Sequence, residues 1–119
     1  MNILVADDDK VISAMLCGIL KDAGHICIPA FDSMQAIMNA MRQPLDLVLL
    51  DINMPGGTGV EVLKRLKNST KTNRIPVVII TGSTDAALPE QAKALGAVQF
   101  LTKPVDPELL LQAVLAATR

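Results

Sequence analysis

Two hydrophobic patterns alternate along the chain. Ile3-Leu4-Val5-Ala6, Ile26-Cys27-Ile28-Pro29-Ala30, Leu47-Val48-Leu49-Leu50, Pro76-Val77-Val78-Ile79-Ile80 and Val98 to Leu101 are short apolar runs bounded by polar or turn-forming residues, and each predicts a strand. The most continuous of them suit strands covered on both faces, as in a parallel sheet. Between them the apolar positions recur with helical period. Val11, Ile12, Met15, Leu16, Ile19, Leu20 and Ala23 form the first such set, with Gly24 as its terminator. Ala36, Ile37, Ala40 and Met41 follow a capping-box pair, Asp32 and Gln35, and this helix stops before Pro44. A second box, Thr58 and Glu61, opens a helix with Val62, Leu63 and Leu66 inward and Lys64, Arg65 and Lys67 outward. A helix from about Asp85 to Leu95 accepts Pro89 in its first turn and closes at Gly96. The last begins at Asp106-Pro107-Glu108 and turns Leu110, Leu111, Val114 and Leu115 inward.

Five strands alternating with five helices predict a three-layer α/β sandwich around a parallel sheet, with residues 1–119 forming one domain. Right-handed crossovers put every strand's carboxyl end on one side. Pro29 cannot donate to a ladder, so the second strand belongs at an edge. The doubly wound order 2-1-3-4-5 satisfies this and sets the ends of strands one and three side by side at the switch point, where such sheets bind ligands.

Composition narrows the function. Charged residues make up 19% of the chain and the formal net charge is -1, which gives no basic surface for nucleic acid or anionic lipid. Without Trp or Tyr, and with only Phe31 and Phe100, the chain has no platform for stacking bases or a flavin. No uncharged run approaches the roughly twenty residues that a bilayer crossing needs. The amino terminus lacks a basic region and meets Asp7 too early for a signal peptide, which points to the cytoplasm. Cys17 and Cys27 fit neither metal-binding nor redox spacing; they read as small core hydrophobes rather than a disulfide, and no function is assigned to them.

The rim at the strand ends carries Asp7 and Asp8, Asp51, Thr81 and Lys103. Taken singly, each has a plain structural reading: a helix cap, a turn former, a loop hydroxyl, a surface charge. Taken together they are complementary. Crowded carboxylates repel unless a cation lies among them, and oxygen ligands suit Mg²⁺, which is usually held by one or two carboxylates and completed by phosphate oxygens. A carboxylate can also attack phosphorus to form an aspartyl phosphate, with an amine and a hydroxyl compensating charge on the transferred group.

At these residues the chain resembles the receiver domain of bacterial two-component response regulators, over essentially its whole length. The match consists of Asp7-Asp8, Asp51 with Asn53-Met54-Pro55 and Gly59, Thr81-Gly82, and Lys103-Pro104. The resemblance implies a flavodoxin-like (βα)5 fold and phosphorylation of Asp51 by a sensor histidine kinase, a phosphotransfer protein or a small phosphodonor. It implies Mg²⁺ held by Asp8, Asp51 and the backbone carbonyl of Asn53, with Asp7 acting through water. Thr81 and Lys103 would bind the phosphoryl group, Phe100 would rotate with Thr81 to signal, and Lys103-Pro104 would be a cis peptide. Asn53 and Ser83 lie where family members vary and would tune the lifetime of the phosphate. The chain departs from the family in Thr58, where Asp is common, and in Phe100, where Tyr is frequent. Its fourth and last helices carry few charges, unlike a charged dimer face, so it reads as a monomer or weak dimer.

The implied domain catalyses only its own phosphorylation and dephosphorylation, and an output protein or domain reads its surface. Two rivals come from other classes. A haloacid-dehalogenase-like phosphatase would use Asp7 as nucleophile, from the Asp-x-Asp spacing of Asp7 and Asp9, but leaves Asp51 unexplained. A receiver-like interaction module that ignores phosphate would not need the intact set.

Overall fold

The computed structural model describes residues 1–54 and 59–118. Its elements are β1 (Asn2–Ala6), α1 (Lys10–Asp22), β2 (Ile26–Ala30), α2 (Ser33–Arg42), β3 (Leu47–Leu50), α3 (Gly59–Asn68), β4 (Val77–Thr81), α4 (Leu88–Ala94), β5 (Gln99–Thr102) and α5 (Pro107–Ala117). The five strands form one parallel sheet in the order β2-β1-β3-β4-β5, with Pro29 on an edge strand as predicted.

Alternation along the central strands sorts the core into two layers. Leu4, Ala6, Val48, Leu50, Val77 and Ile79 pack with Ala36 and Ile37 of α2, Val62, Leu63 and Leu66 of α3, and Ala92 of α4. Their neighbours Ile3, Val5, Leu47, Leu49, Val78 and Ile80 pack with Leu16 and Leu20 of α1 and Leu110 and Val114 of α5. Each Val, Leu or Ile side chain so buried contributes about 1.5–3 kcal/mol through the water it no longer meets.

Local chemistry sets the helix ends. Asp32 Oδ1 accepts from the Gln35 amide at 2.8 Å, but Gln35 Oε1 accepts from the amide of Phe31, one residue earlier than in a standard capping box. Asp106 caps α5 by accepting from the Glu108 amide at 3.0 Å. Gly24 and Gly96 take positive φ, the conformation that ends α1 and α4. The capping role expected of Thr58 lies outside the described residues.

Several helical positions differ from the sequence reading. Val11 (79% exposed), Met15 and Leu115 (60% exposed) point to solvent, because α1 and α5 bury a stripe narrower than their apolar content. The fourth helix starts at Leu88, not near Asp85: Asp85 Oδ1 accepts from the Ala87 amide in a turn of its own, and Ala87 supplies no side-chain cap. Lys67 is no solvated surface charge. It turns inward, and its ammonium donates to the carbonyls of Asn73 (3.3 Å) and Ile75 (2.8 Å), with burial lowering its pKa. Cys17 and Cys27 are not free thiols but a disulfide between α1 and β2, their Cα atoms 5.4 Å apart.

Candidate functional site

Strand register builds the site. β1 and β3 run side by side with Ala6 opposite Leu50, and the Asp51 amide donates to the Ala6 carbonyl at 2.8 Å. The next residue of each strand, Asp7 and Asp51, therefore reaches the carboxyl rim beside the other. The Asp7 amide also donates to Ala30 O at 3.0 Å, so the acidic loop is anchored to the end of β2. On the other side Thr81 pairs with Thr102, and the Lys103 amide donates to Thr81 O at 2.8 Å, which carries the lysine onto the same rim. Gly59 fixes the base of the loop after β3: its amide donates to Ile52 O, and a Cβ there would collide with the Asp51 carbonyl and the Ile52 backbone.

The two carboxylates are nearly sealed, Asp7 at 2% and Asp51 at 6% exposure. Between them lies the Lys103 ammonium, 2.7 Å from Asp7 Oδ2 and 3.2 Å from Asp51 Oδ2. The shorter contact holds Asp7 Oδ2, a buried oxygen that no other group among the described residues reaches by a hydrogen bond. The other oxygens serve the backbone: Asp7 Oδ1 accepts from the Asp9 amide at 2.9 Å and Asp51 Oδ1 from the Asn53 amide at 3.1 Å. Burial pushes the Asp51 carboxyl above its ordinary value, and the Asn53 amide and the Lys103 charge only partly offset it. For Lys103, burial acts against the charged form, yet Asp7 and Asp51 together outweigh it and hold the ammonium above its usual range.

Asp7, Asp8 and Asp51 each offer an oxygen, and these oxygens lie within 4.8 Å of one another. An all-oxygen donor set, with Asp7 and Asp51 buried and Asp8 exposed, fits a hard divalent cation. The backbone of Asn53 is tied to the same place by its hydrogen bond to Asp51.

Asp9 has a different task. Its Oδ1 accepts from the amides of Val11 (2.9 Å) and Ile12 (3.1 Å), capping α1. Of three successive aspartates, two face the site and one starts the helix. With Asp9 engaged at the start of α1, the Asp-x-Asp spacing has a structural explanation. Thr81 is wholly buried, and its Oγ1 accepts from the Ser83 amide at 3.2 Å; among the described residues this hydroxyl makes no hydrogen bond to Asp51 or Lys103. Phe100, half-buried opposite Ile79, lines a cavity of about 220 Å³ with Pro89, Ala92 and Ala97. The Lys103–Pro104 peptide is cis. The disulfide and the inward turn of Lys67 are the features that sequence reasoning missed, and no local signal marked either one.

A family profile described as the response regulator receiver domain matches residues 3–115. Protein PilH of Pseudomonas aeruginosa is 34% identical over 113 residues, covering 95% of this chain and 93% of its own length. The phosphate regulon transcriptional regulatory protein PhoB of Escherichia coli is 35% identical over 119 residues, but the chain spans only 52% of that relative's length. Among solved structures, the chemotaxis protein CheY4 of Vibrio cholerae superposes with a TM-score of 0.91 at 31% identity, covering 98% of this chain and 97% of its own.

Proposed function

The chain belongs to the response regulator receiver family, and from that premise we propose that Asp51 is its phosphoacceptor and that residues 1–119 make up one receiver domain. The observation that carries this reading is the Lys103 ammonium set between two buried carboxylates at the switch point of the sheet. A carboxylate oxygen of Asp51 attacks the phosphorus of a phosphohistidine or a small acyl phosphate. The bond to the donor breaks, the donor's nitrogen or oxygen keeps the electron pair, and an aspartyl phosphate remains until water hydrolyses it. The domain thus catalyses only its own phosphorylation and dephosphorylation.

Asp8, Asp51 and the Asn53 carbonyl would hold Mg²⁺, with Asp7 acting through water; bound there, the ion neutralises the crowded carboxylates and the oxygens of the incoming phosphoryl group. Lys103 pairs with the transferred group's remaining charge, released from its present contact with Asp7. The Thr81 hydroxyl exchanges the Ser83 amide for a phosphoryl oxygen, and Phe100 turns with it into the cavity beside α4, which alters the surface of α4, β5 and α5. Its donors are a sensor histidine kinase or a phosphotransfer protein, and its compartment is the cytoplasm; no described helix is long and apolar enough to cross a membrane. An output protein or domain reads the altered surface.

Intact-mass spectrometry after incubation with acetyl phosphate and Mg²⁺ tests the proposal. One phosphate mass, removed by hydroxylamine and missing both from Asp51→Asn and from a metal-free sample, is the expected result. Label that persists in Asp51→Asn overturns the assignment of Asp51. No adduct at all favours a phosphate-independent interaction module.

A further inference from the structure

We propose that Cys17 and Cys27 form a reversible thiol–disulfide site, exchanged by low-molecular-weight thiols and disulfides of the glutathione class. This inference does not depend on the phosphoacceptor reading. The two cysteines join α1 to the edge strand β2 with a Cα–Cα distance of 5.4 Å, within the range a sulfur bridge spans without moving either backbone. Both side chains are half-buried and pack on the edge of the layer that holds Leu16 and Leu20. As free thiols they keep that packing, because a cysteine thiol behaves as a small hydrophobe. The fold therefore accommodates both redox states.

Access distinguishes this pair from a sealed structural bridge. A cavity of about 220 Å³ opens over it, lined by Lys10, Ser13, Cys17, Lys21, Cys27 and Phe31. Lys21 follows Cys17 by one helical turn, and Lys10, whose ammonium lies 5.6 Å from the centre of the Phe31 ring, lines the same opening. Two cations around an accessible sulfur favour the thiolate that exchange requires. In a reducing compartment, a disulfide of this kind is usually transient or redox-sensing rather than structural.

The chemistry balances with the partner named. The Cys17 thiolate attacks one sulfur of oxidised glutathione, whose S–S bond breaks and releases one glutathione thiolate. The Cys27 thiolate then attacks the Cys17 sulfur, forms the protein disulfide and releases the second glutathione. Two protein thiols give up two electrons and two protons, and the small disulfide takes up both. Reduction runs the same steps backwards. What changes in the protein is the tether on β2, an edge strand that pairs with β1 and packs against α1 and α2.

The test is an equilibration of the full chain in buffers of graded reduced-to-oxidised glutathione ratio, followed by an acid quench, thiol alkylation and mass counting. The expected result is a passage between zero and two alkylated cysteines, identical from either starting state, with the circular dichroism spectrum of the folded protein throughout. Hydrogen exchange should show β2 amides losing protection on reduction before those of β3. Cys27→Ser, which leaves Cys17, should capture glutathione faster than Cys17→Ser. A count fixed at zero until denaturant is added identifies a sealed structural disulfide and overturns the proposal. A count fixed at two in the most oxidising buffer shows that the pair does not close, and overturns it equally. Faster capture by Cys17→Ser overturns the choice of Cys17 as the attacking sulfur.

Discussion

The body of the sheet and its rim are equally buried and chemically opposite. Leu4, Val48, Leu50 and Ile79 have no exposed surface, and one to three residues further along the chain Asp7, Asp51 and Thr81 are almost as deeply enclosed. In the body, burial is itself the gain, since apolar surface leaves water and no polar group goes unsatisfied. At the rim, burial opposes the charged groups: Asp51 is pushed towards its protonated form, and Asp7 Oδ2 depends on the Lys103 ammonium beside it. One sheet thus supplies both the stability and the place where some of it is given up for reactivity.

The contrast can be broken from either side. The largest effect on folding should come from the body: Leu50→Ala opens a cavity under α2 and α3 and should cost about 2–5 kcal/mol in urea unfolding, while the folded fraction still accepts phosphate at Asp51. At the rim, Lys103→Met should slow acetyl phosphate labelling by about 10²–10³-fold, the loss typical of one preorganised charge partner, with a smaller change in unfolding midpoint once Mg²⁺ is added. Labelling within a few-fold of wild type would show that Lys103 serves packing rather than phosphoryl transfer. Gly59→Ala sits on the boundary between the two regions. Its Cβ meets backbone, which cannot move aside as a side chain could, so about 1–3 kcal/mol of stability and part of the labelling rate should be lost together.

The smallest effect on stability is the most diagnostic, because its sign is reversed. Asp51→Asn removes a carboxylate that burial disfavours and should raise the thermal midpoint while abolishing labelling. The folded-state pKa of Asp51 lies above its ordinary value of 3.8, so the folded protein holds this proton more tightly than the unfolded chain does. The stability contributed by the protonated group is full below about 3.8 and is lost as pH rises through the raised folded value. Wild type and Asp51→Asn should therefore diverge across that window in pH-dependent calorimetry, the variant gaining as pH increases. Parallel curves would mean that Asp51 is not penalised by its burial.

Much of this molecule was legible as text because the deciding interactions are local. The unbroken runs of β3 and β4, the Asp32 and Asp106 caps and Pro29 at the edge each act within a few residues. The alternation of strands and helices, right-handed crossovers and the edge position of Pro29 then pointed to the sheet order, and with it to the meeting of Asp7, Asp51, Thr81 and Lys103 at one rim. The sequence by itself therefore determined which side chains gather there. Only the tertiary structure decided how each is used. It set Asp9 to capping while Asp7 faces Lys103, because Asp9 stands two residues further on, directly before α1, where its carboxylate meets the free amides of the first turn. It turned Lys67 inward against the carbonyls of Asn73 and Ile75, and left Val11 and Leu115 in water, because a helical period shows that a stripe exists but not how wide a neighbour covers it. It also joined Cys17 to Cys27, since their separation along the chain says nothing of the angle at which α1 crosses β2, and that packing angle is what brings the two sulfurs together.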